Sequence, residues 1–305
     1  MGSTHALPTP TSELPRLAVR ADTTHKGDVG RVAIVAGSRG MSGAAVLCGL
    51  GALRGGAGLV RVYTAASAQP IVASAEPSLM TVPVPESELG NMRSHVVSVV
   101  NTDWPDVLAI GPGIGQSSEL AKSIMPMIDE FRGPVVLDAD ALNNVAGRSR
   151  EDWLNRGSKS VIITPHPGEM ERLRRGMGLG DESIPTDDDA RLRVAVEFAR
   201  LTETTVVLKG HATVVCTADQ AYVNRTGNPG MASGGMGDVL TGLIAALLGQ
   251  GLTPFDAARL AVHVHGAAAD RLALQIGPLG YLAREVADAI PVVLSEFTRP
   301  QMGFR

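Results

Sequence analysis

Between Asn228 and Asp238 the chain reads Asn-Pro-Gly-Met-Ala-Ser-Gly-Gly-Met-Gly-Asp, and Val239, Leu240, Leu243, Ile244, Leu247 and Leu248 follow at helical spacing. Glycine removes the side chains that keep main-chain N–H groups apart, so Gly234, Gly235 and Gly237 can cluster donors around an anion. The helix dipole behind them adds partial positive charge, which suits phosphate. Asp238 then has two readings. It either caps the helix, or accepts a proton from a substrate hydroxyl as that hydroxyl attacks a phosphate held by the loop. No Lys-Ser or Lys-Thr pair follows the glycines, so the loop is not a Walker A sequence.

Other short polar segments each follow an apolar run. Gly111-Pro-Gly-Ile-Gly115 lacks dinucleotide-fingerprint spacing, and by itself is a turn at a strand's carboxyl end, where α/β sheets bind ligands. Asp138-Ala-Asp-Ala-Leu-Asn143, Thr164-Pro-His-Pro-Gly-Glu169 and Leu208-Lys-Gly-His-Ala-Thr213 sit in the same way. His166 is either a rigid loop residue between prolines or a ligand contact. Lys209 either snorkels from a strand end or reaches a phosphate as a point charge. In Gly37-Ser-Arg-Gly-Met-Ser-Gly-Ala-Ala45, small residues permit close packing or close ligand approach. The run Asp187-Asp188-Asp189 reads as a solvated helix start rather than a metal site. His263 and His265 fall on different faces of a helix and read as ordinary helix residues.

The elements that must position these groups alternate. Strands are expected at Val32–Ala36, Leu59–Tyr63, Leu79–Val84, Val107–Ile110, Val135–Leu137, Val161–Thr164, Thr205–Leu208, Thr213–Cys216 and Tyr222–Asn224. Helices are expected at 42–54, 117–131, 168–176, 188–201, 237–249, 254–274 and 281–290. Most strands are apolar throughout, as strands covered on both faces are, so the chain reads as α/β with a mostly parallel central sheet flanked by helices on both faces. The strands near 205–224 have no helix between them and predict an antiparallel hairpin near one end. The expected organisation is a flexible N-terminal tail over 1–20, a catalytic domain over 21–297 and a C-terminal tail over 298–305.

Composition narrows the function classes. A net charge of -4 over 305 residues, with 3% aromatic residues, argues against nucleic acid as partner. Cys48 and Cys216 lie in apolar runs without metal or redox spacing. The first twenty residues lack the apolar core of a secretory signal, and no apolar run is long enough to span a bilayer. A cytoplasmic protein without membrane contact is expected.

In this order, Lys26-Gly-Asp-Val-Gly-Arg31, Ser42-Gly-Ala-Ala45, Gly111-Pro-Gly-Ile-Gly115, Asp138-Ala-Asp-Ala-Leu-Asn143, Pro165-His-Pro-Gly-Glu169, Leu208-Lys-Gly210 and Gly234-Gly-Met-Gly-Asp238 resemble the ADP-dependent NAD(P)H-hydrate dehydratases of the ribokinase-like fold, over roughly residues 20–295. The resemblance implies a hydro-lyase that uses ADP to dehydrate the S epimer of hydrated NADH or NADPH, releasing AMP and phosphate. It implies Asp238 as catalytic base and Ala44, Ala45, Gly113, His166 and Asp238 around the hydrated nicotinamide. It assigns Lys209, Gly210, His211, Ala212, Thr213, Gly235 and Gly237 to the nucleotide, with Mg2+ carried on that nucleotide rather than in a protein metal site. A homotetramer is also implied; many relatives fuse an epimerase domain not found in this sequence, a departure from which reliance on a separate epimerase is expected. His211 departs from the pattern, where a small residue is usual.

Two other readings compete. A small-molecule kinase of the same fold, acting on a vitamin-precursor hydroxyl, would share the loop and Asp238; the Lys26-Gly-Asp28 and Pro165-His-Pro-Gly-Glu169 pairing disfavours it. A nucleotide-binding regulatory module without turnover would gain nothing from a carboxylate beside the phosphate.

Overall fold

The computed structural model describes residues 6–93, 96–157 and 160–298. Its elements run β1 (Arg31–Val35), α1 (Ser42–Arg54), β2 (Leu59–Ala65), α2 (Gln69–Ala75), β3 (Met80–Val84), α3 (Val96–Val99), β4 (Val107–Ile110), α4 (Ser118–Glu130), β5 (Val135–Leu137), α5 (Asp140–Val145), α6 (Arg150–Leu154) and β6 (Val161–Ile163). They continue with α7 (Pro167–Gly176), α8 (Asp188–Thr202), β7 (Thr205–Leu208), β8 (Val214–Cys216), β9 (Ala221–Val223), α9 (Met236–Gly249), α10 (Pro254–Gln275) and α11 (Ala283–Leu294). Every expected strand forms, with ends displaced by two residues at most.

The strands make one sheet in the order β3-β2-β1-β4-β5-β6-β7-β8-β9. Pairing is parallel from β3 through β7 and antiparallel for β7–β8 and β8–β9, so the expected hairpin closes one end. Period-two alternation divides the core between the faces. Val32 and Ile34 of β1 join α1, α9, α10 and α11 on one side, while Ala33 and Val35 join α4, α7 and α8 on the other. Both faces are covered, which is why these strands tolerate no polar alternation.

α9 carries the glycine loop, and close contact fixes its position. A side chain at Gly51 of α1 would strike the Val239 carbonyl, and one at Gly242 of α9 would strike the Cys48 carbonyl. The two backbones therefore approach more closely than any larger residue allows.

Some elements differ from the sequence reading. The helix expected over 281–290 begins at Ala283 and continues to Leu294, with Pro291 inside it, because burial of Val293 and Leu294 rewards the last turn. Helices α2, α3, α5 and α6 are short, and their few apolar positions leave little helical period to read. In the segment expected as a flexible tail, Thr11 donates its N–H to the Ala221 carbonyl at 2.8 Å, and Leu17 is buried with its N–H on the Phe297 carbonyl. Residues 1–5 of that tail, and 299–305 of the C-terminal one, lie outside the described residues. No helix among the described residues is long and apolar enough to cross a membrane.

Candidate active site

The sheet order sets the carboxyl ends of β1, β4, β5, β6 and β7 side by side, with a change of direction between β1 and β4 where α/β sheets open a crevice. Each end delivers one of the polar segments. Asp138, leaving β5, is 1% exposed; its Oδ1 accepts from Lys209 Nζ at 2.7 Å and its Oδ2 from the Thr241 hydroxyl at 2.7 Å. Glu169, from α7, stands 3.9 Å from the same ammonium. Burial disfavours charge on Lys209, but Asp138 and Glu169 outweigh it and raise its pKa, so the lysine is a permanent cation. Burial raises the pKa of Glu169, with Lys209 opposing.

Asp238 occupies the first turn of α9, behind Gly235 at the N-cap. It makes no capping hydrogen bond, and no hydrogen bond or ion pair holds its carboxyl among the described residues, so capping does not account for it. Burial first, and then the charge of Asp138, push its pKa up to about 7 despite Lys209 nearby. A carboxyl poised near neutrality and left free at a helix N-terminus is matched to proton transfer. Gly235 takes φ +89°, a left-handed conformation that turns the chain into the helix. Gly237 lies against the acid–base pair: a Cβ there would sit 3.4 Å from Lys209 Nζ and 3.8 Å from Asp138 Oδ2.

Beside this cluster opens a cavity of about 480 Å³. Lys209 and Gly237 stand at its border, with Gly210, His211 and Thr213, and Asn224, Thr226, Val262 and His265 close other sides. Its volume falls in the range of ligand pockets. Of the residues expected on the nucleotide, Ala212 is buried and does not border the cavity, and neither does Gly235, whose part is to shape the turn. His211 is exposed at the rim. Arg191, buried under the turn, donates to the carbonyls of Leu208 and Lys209 at 3.1 and 3.0 Å.

The residues expected around the second substrate occupy the neighbouring strand ends. A side chain on Gly113 would meet Ala44 and Met41 at 2.9 Å, so Gly113 packs directly against Ala44 with no room for a side chain. Ala45 is fully buried against Gly37, so neither its side chain nor its backbone is open to the crevice. The loop containing Gly113 is pinned by α5: Asp140 accepts from the Gly115 N–H at 3.0 Å, and Asn144 donates to the Gly115 carbonyl at 2.9 Å. Ala139, between the two aspartates, has φ +49° and ψ −120°, a strained conformation of the kind that gathers at functional sites. His166 caps α7, its Nδ1 accepting from the Gly168 N–H at 3.0 Å, while half of its side chain stays exposed.

A family model described as NAD(P)H-hydrate dehydratase matches residues 32–292. The chain belongs to this family. It is 41% identical over 286 residues to the bifunctional NAD(P)H-hydrate repair enzyme Nnr of Moorella thermoacetica, covering 93% of this chain and 52% of that one. It spans about half the length of that and the similar bifunctional relatives. The ADP-dependent (S)-NAD(P)H-hydrate dehydratase of Neisseria meningitidis is 36% identical, with 92% of this chain and 90% of the relative covered. Among solved structures, the ADP/ATP-dependent NAD(P)H-hydrate dehydratase of Bacillus subtilis, co-crystallised with ATP and Mg2+, superposes with a TM-score of 0.79 at 31% identity, covering 94% of this chain and all of that one. The fold is the ribokinase-like one.

Several groups at the site of this dehydratase-family chain carry no clear signal in the sequence. Asp138 and Glu169 appeared only inside motifs, although they partner Lys209. Asp140 and Asn144 had no visible reason to be where they are. Asn224, Thr226 and His265 come from the hairpin end and from α10, with no local signal beyond their polarity in apolar surroundings. Lys26-Gly-Asp28 precedes β1, at the amino end of that strand, whereas the cluster gathers at the carboxyl ends.

Proposed function

We propose that the protein is a hydro-lyase that restores NADH or NADPH from the S epimer of the hydrated cofactor at the expense of ADP, releasing AMP and phosphate. The observation that carries this reading is the unpaired, near-neutral Asp238 at a glycine-rich helix N-terminus that borders a nucleotide-sized cavity. Family membership and the names of the Neisseria and Bacillus relatives supply the substrate class. The catalytic domain is taken as residues 21–297, acting in the cytoplasm as a homotetramer.

The ring hydroxyl of the hydrate is a poor leaving group. Asp238 takes its proton as the oxygen attacks the β-phosphorus of ADP; a P–O bond forms and the bond to AMP breaks. Main-chain N–H groups from Gly235 to Gly237, with Lys209, stabilise charge on the moving phosphoryl group. Phosphate then leaves with the C–O electron pair, the ring nitrogen supplies electrons, and a proton is lost from the adjacent ring carbon. Ala44, Gly113 and His166 line the nicotinamide side; Gly210, His211 and Thr213 the nucleotide side.

No group of three or more His, Cys, Asp or Glu able to hold a metal exists among the described residues, and Asp138 is already engaged by Lys209 and Thr241. These residues fit a Mg2+ held mainly by nucleotide oxygens and water, as this ion commonly is. Bound there, it would neutralise phosphate charge.

Absorbance at 340 nm, followed with hydrated NADH, Mg2+ and ADP or ATP, tests the proposal. Nucleotide-dependent recovery of reduced cofactor is expected. No recovery from folded protein that still binds ADP would overturn it and favour a kinase, recognisable by an accumulating phosphorylated product.

A further inference from the structure

Among the described residues, four buried side-chain nitrogens lack a hydrogen-bond partner: Nε of Arg156, Arg174 and Arg191, and Nε2 of His265. Each arginine donates through its other nitrogens, as Arg156 does to the carbonyls of Thr202 and Glu203. His265 differs. No hydrogen bond at either ring nitrogen exists among the described residues, and the residue is 6% exposed on the wall of the cavity that Lys209 and Gly237 also border.

Its neighbour two residues back has a full structural account. His263 is half-buried, meets the Tyr222 hydroxyl at 3.3 Å and packs edge-on to Phe297 at 5.5 Å between ring centres. A ring nitrogen buried without a partner, as Nε2 is here, is costly, because it has lost water and gained nothing. Leucine in the same place would carry no such cost. Nε2 is sealed from the cavity, so a ligand there would find its partner at Nδ1, which is unbonded and not sealed off.

We propose that His265 donates a hydrogen bond to an oxygen in the ribose–phosphate half of the bound nucleotide, setting its depth in the cavity. This inference rests on the nucleotide reading of the cavity given above. The position favours that half of the ligand, since His265 lies close enough to Lys209 to feel its charge and both line the cavity that the N-terminal turn of α9 borders. Burial, and then the charge of Lys209, hold the ring's pKa down to about 4, so at neutral pH it offers one N–H and carries no charge. A neutral donor adds a directed bond without a second buried cation beside Lys209. His265 thus serves as a binding residue, and the proton transfer stays with Asp238.

The test is calorimetric titration of ADP with Mg2+ into the full chain as wild type, His265→Leu and His265→Gln, with melting temperatures of the ligand-free proteins. His265→Leu is expected to weaken ADP binding by about tenfold while the ligand-free protein melts no lower than wild type. His265→Gln, which keeps a donor, is expected to recover most of the affinity. An unchanged Kd in His265→Leu overturns the proposal. So does a His265→Gln as weak as His265→Leu, which would mark a packing role. If His265→Leu does not fold, His265→Gln against His265→Ala makes the same comparison. If wild type binds neither ADP nor ATP, the nucleotide reading itself fails and this inference with it. Wild-type binding with an indifferent His265→Leu fails the inference alone.

Discussion

The ammonium of Lys209 stands 2.7 Å from Oδ1 of Asp138, a carboxylate buried to 1% exposure whose other oxygen is taken by Thr241. This pairing divides the labour between two aspartates near the same helix N-terminus. Asp138 is spent on holding Lys209 at the cavity, and its negative charge helps keep Asp238 protonated up to about neutrality. The pair thereby positions a cation and tunes a base.

Removing the base while keeping its shape should separate chemistry from binding. Asp238→Asn is expected to lower kcat/KM by roughly 10²–10⁴-fold, the range for loss of a general base. Affinity for ADP should hold or improve, because a negative charge beside the phosphates is gone. Titration of ADP, with recovery of absorbance at 340 nm, measures both; an active Asp238→Asn would remove the residue from the chemistry.

The pH profile carries the signature of the same group. Since Asp238 must be ionised to accept a proton, kcat/KM should rise with pH along an acid limb centred near 7. Asp138→Asn removes a charge that raises this pKa, so the residual activity should show the limb moved to lower pH. A limb that stays in place would break the link between the two carboxylates.

Stability should respond in the opposite sense. The pKa of Asp238 is raised in the folded protein from 3.8 to about 7, so the folded state keeps a proton that the unfolded chain loses. Its contribution is fully present below about pH 4 and is lost as pH rises through 7. Asp238→Asn should therefore raise the melting temperature more at pH 8 than at pH 5, by roughly 2–6 °C in difference. Equal shifts at the two values would contradict the raised pKa.

Gly235 offers a backbone test. Its φ of +89° disfavours any side chain, and a Cβ there would collide with Leu47 of α1. Gly235→Ala should cost about 1–3 kcal/mol of stability. It should also lower kcat more than it weakens ADP binding, because the turn places N–H groups around the transferring phosphate. Chemical denaturation and steady-state kinetics would expose a harmless substitution.

Arg191 supports the nucleotide turn from behind, through the carbonyls of Leu208 and Lys209, without bordering the cavity. Burial lowers its pKa, with Asp188 opposing. Arg191→Met should leave kcat within about threefold of wild type and raise the KM for ADP by about 5- to 30-fold, the range expected when 1–2 kcal/mol of support is lost. A kcat effect without a KM effect would place Arg191 elsewhere in the mechanism.

Local patterns were enough to read the nine strands, because each is a short apolar run covered on both faces, and to read the turn from Gly234 to Asp238, because glycine density before an apolar helix has few other uses. The order of the polar segments also carried the family resemblance. Pairing was beyond reach. Asp138 meets Lys209, Asp140 holds Gly115, and His265 joins the cavity wall only because the order β1-β4-β5-β6-β7 sets distant strand ends side by side and α10 packs across them. Hydrogen bonding, desolvation and the pKa of Asp238 depend on distances between residues far apart in sequence. Composition and spacing declare which groups are available; the folded chain decides which one is left free to take a proton.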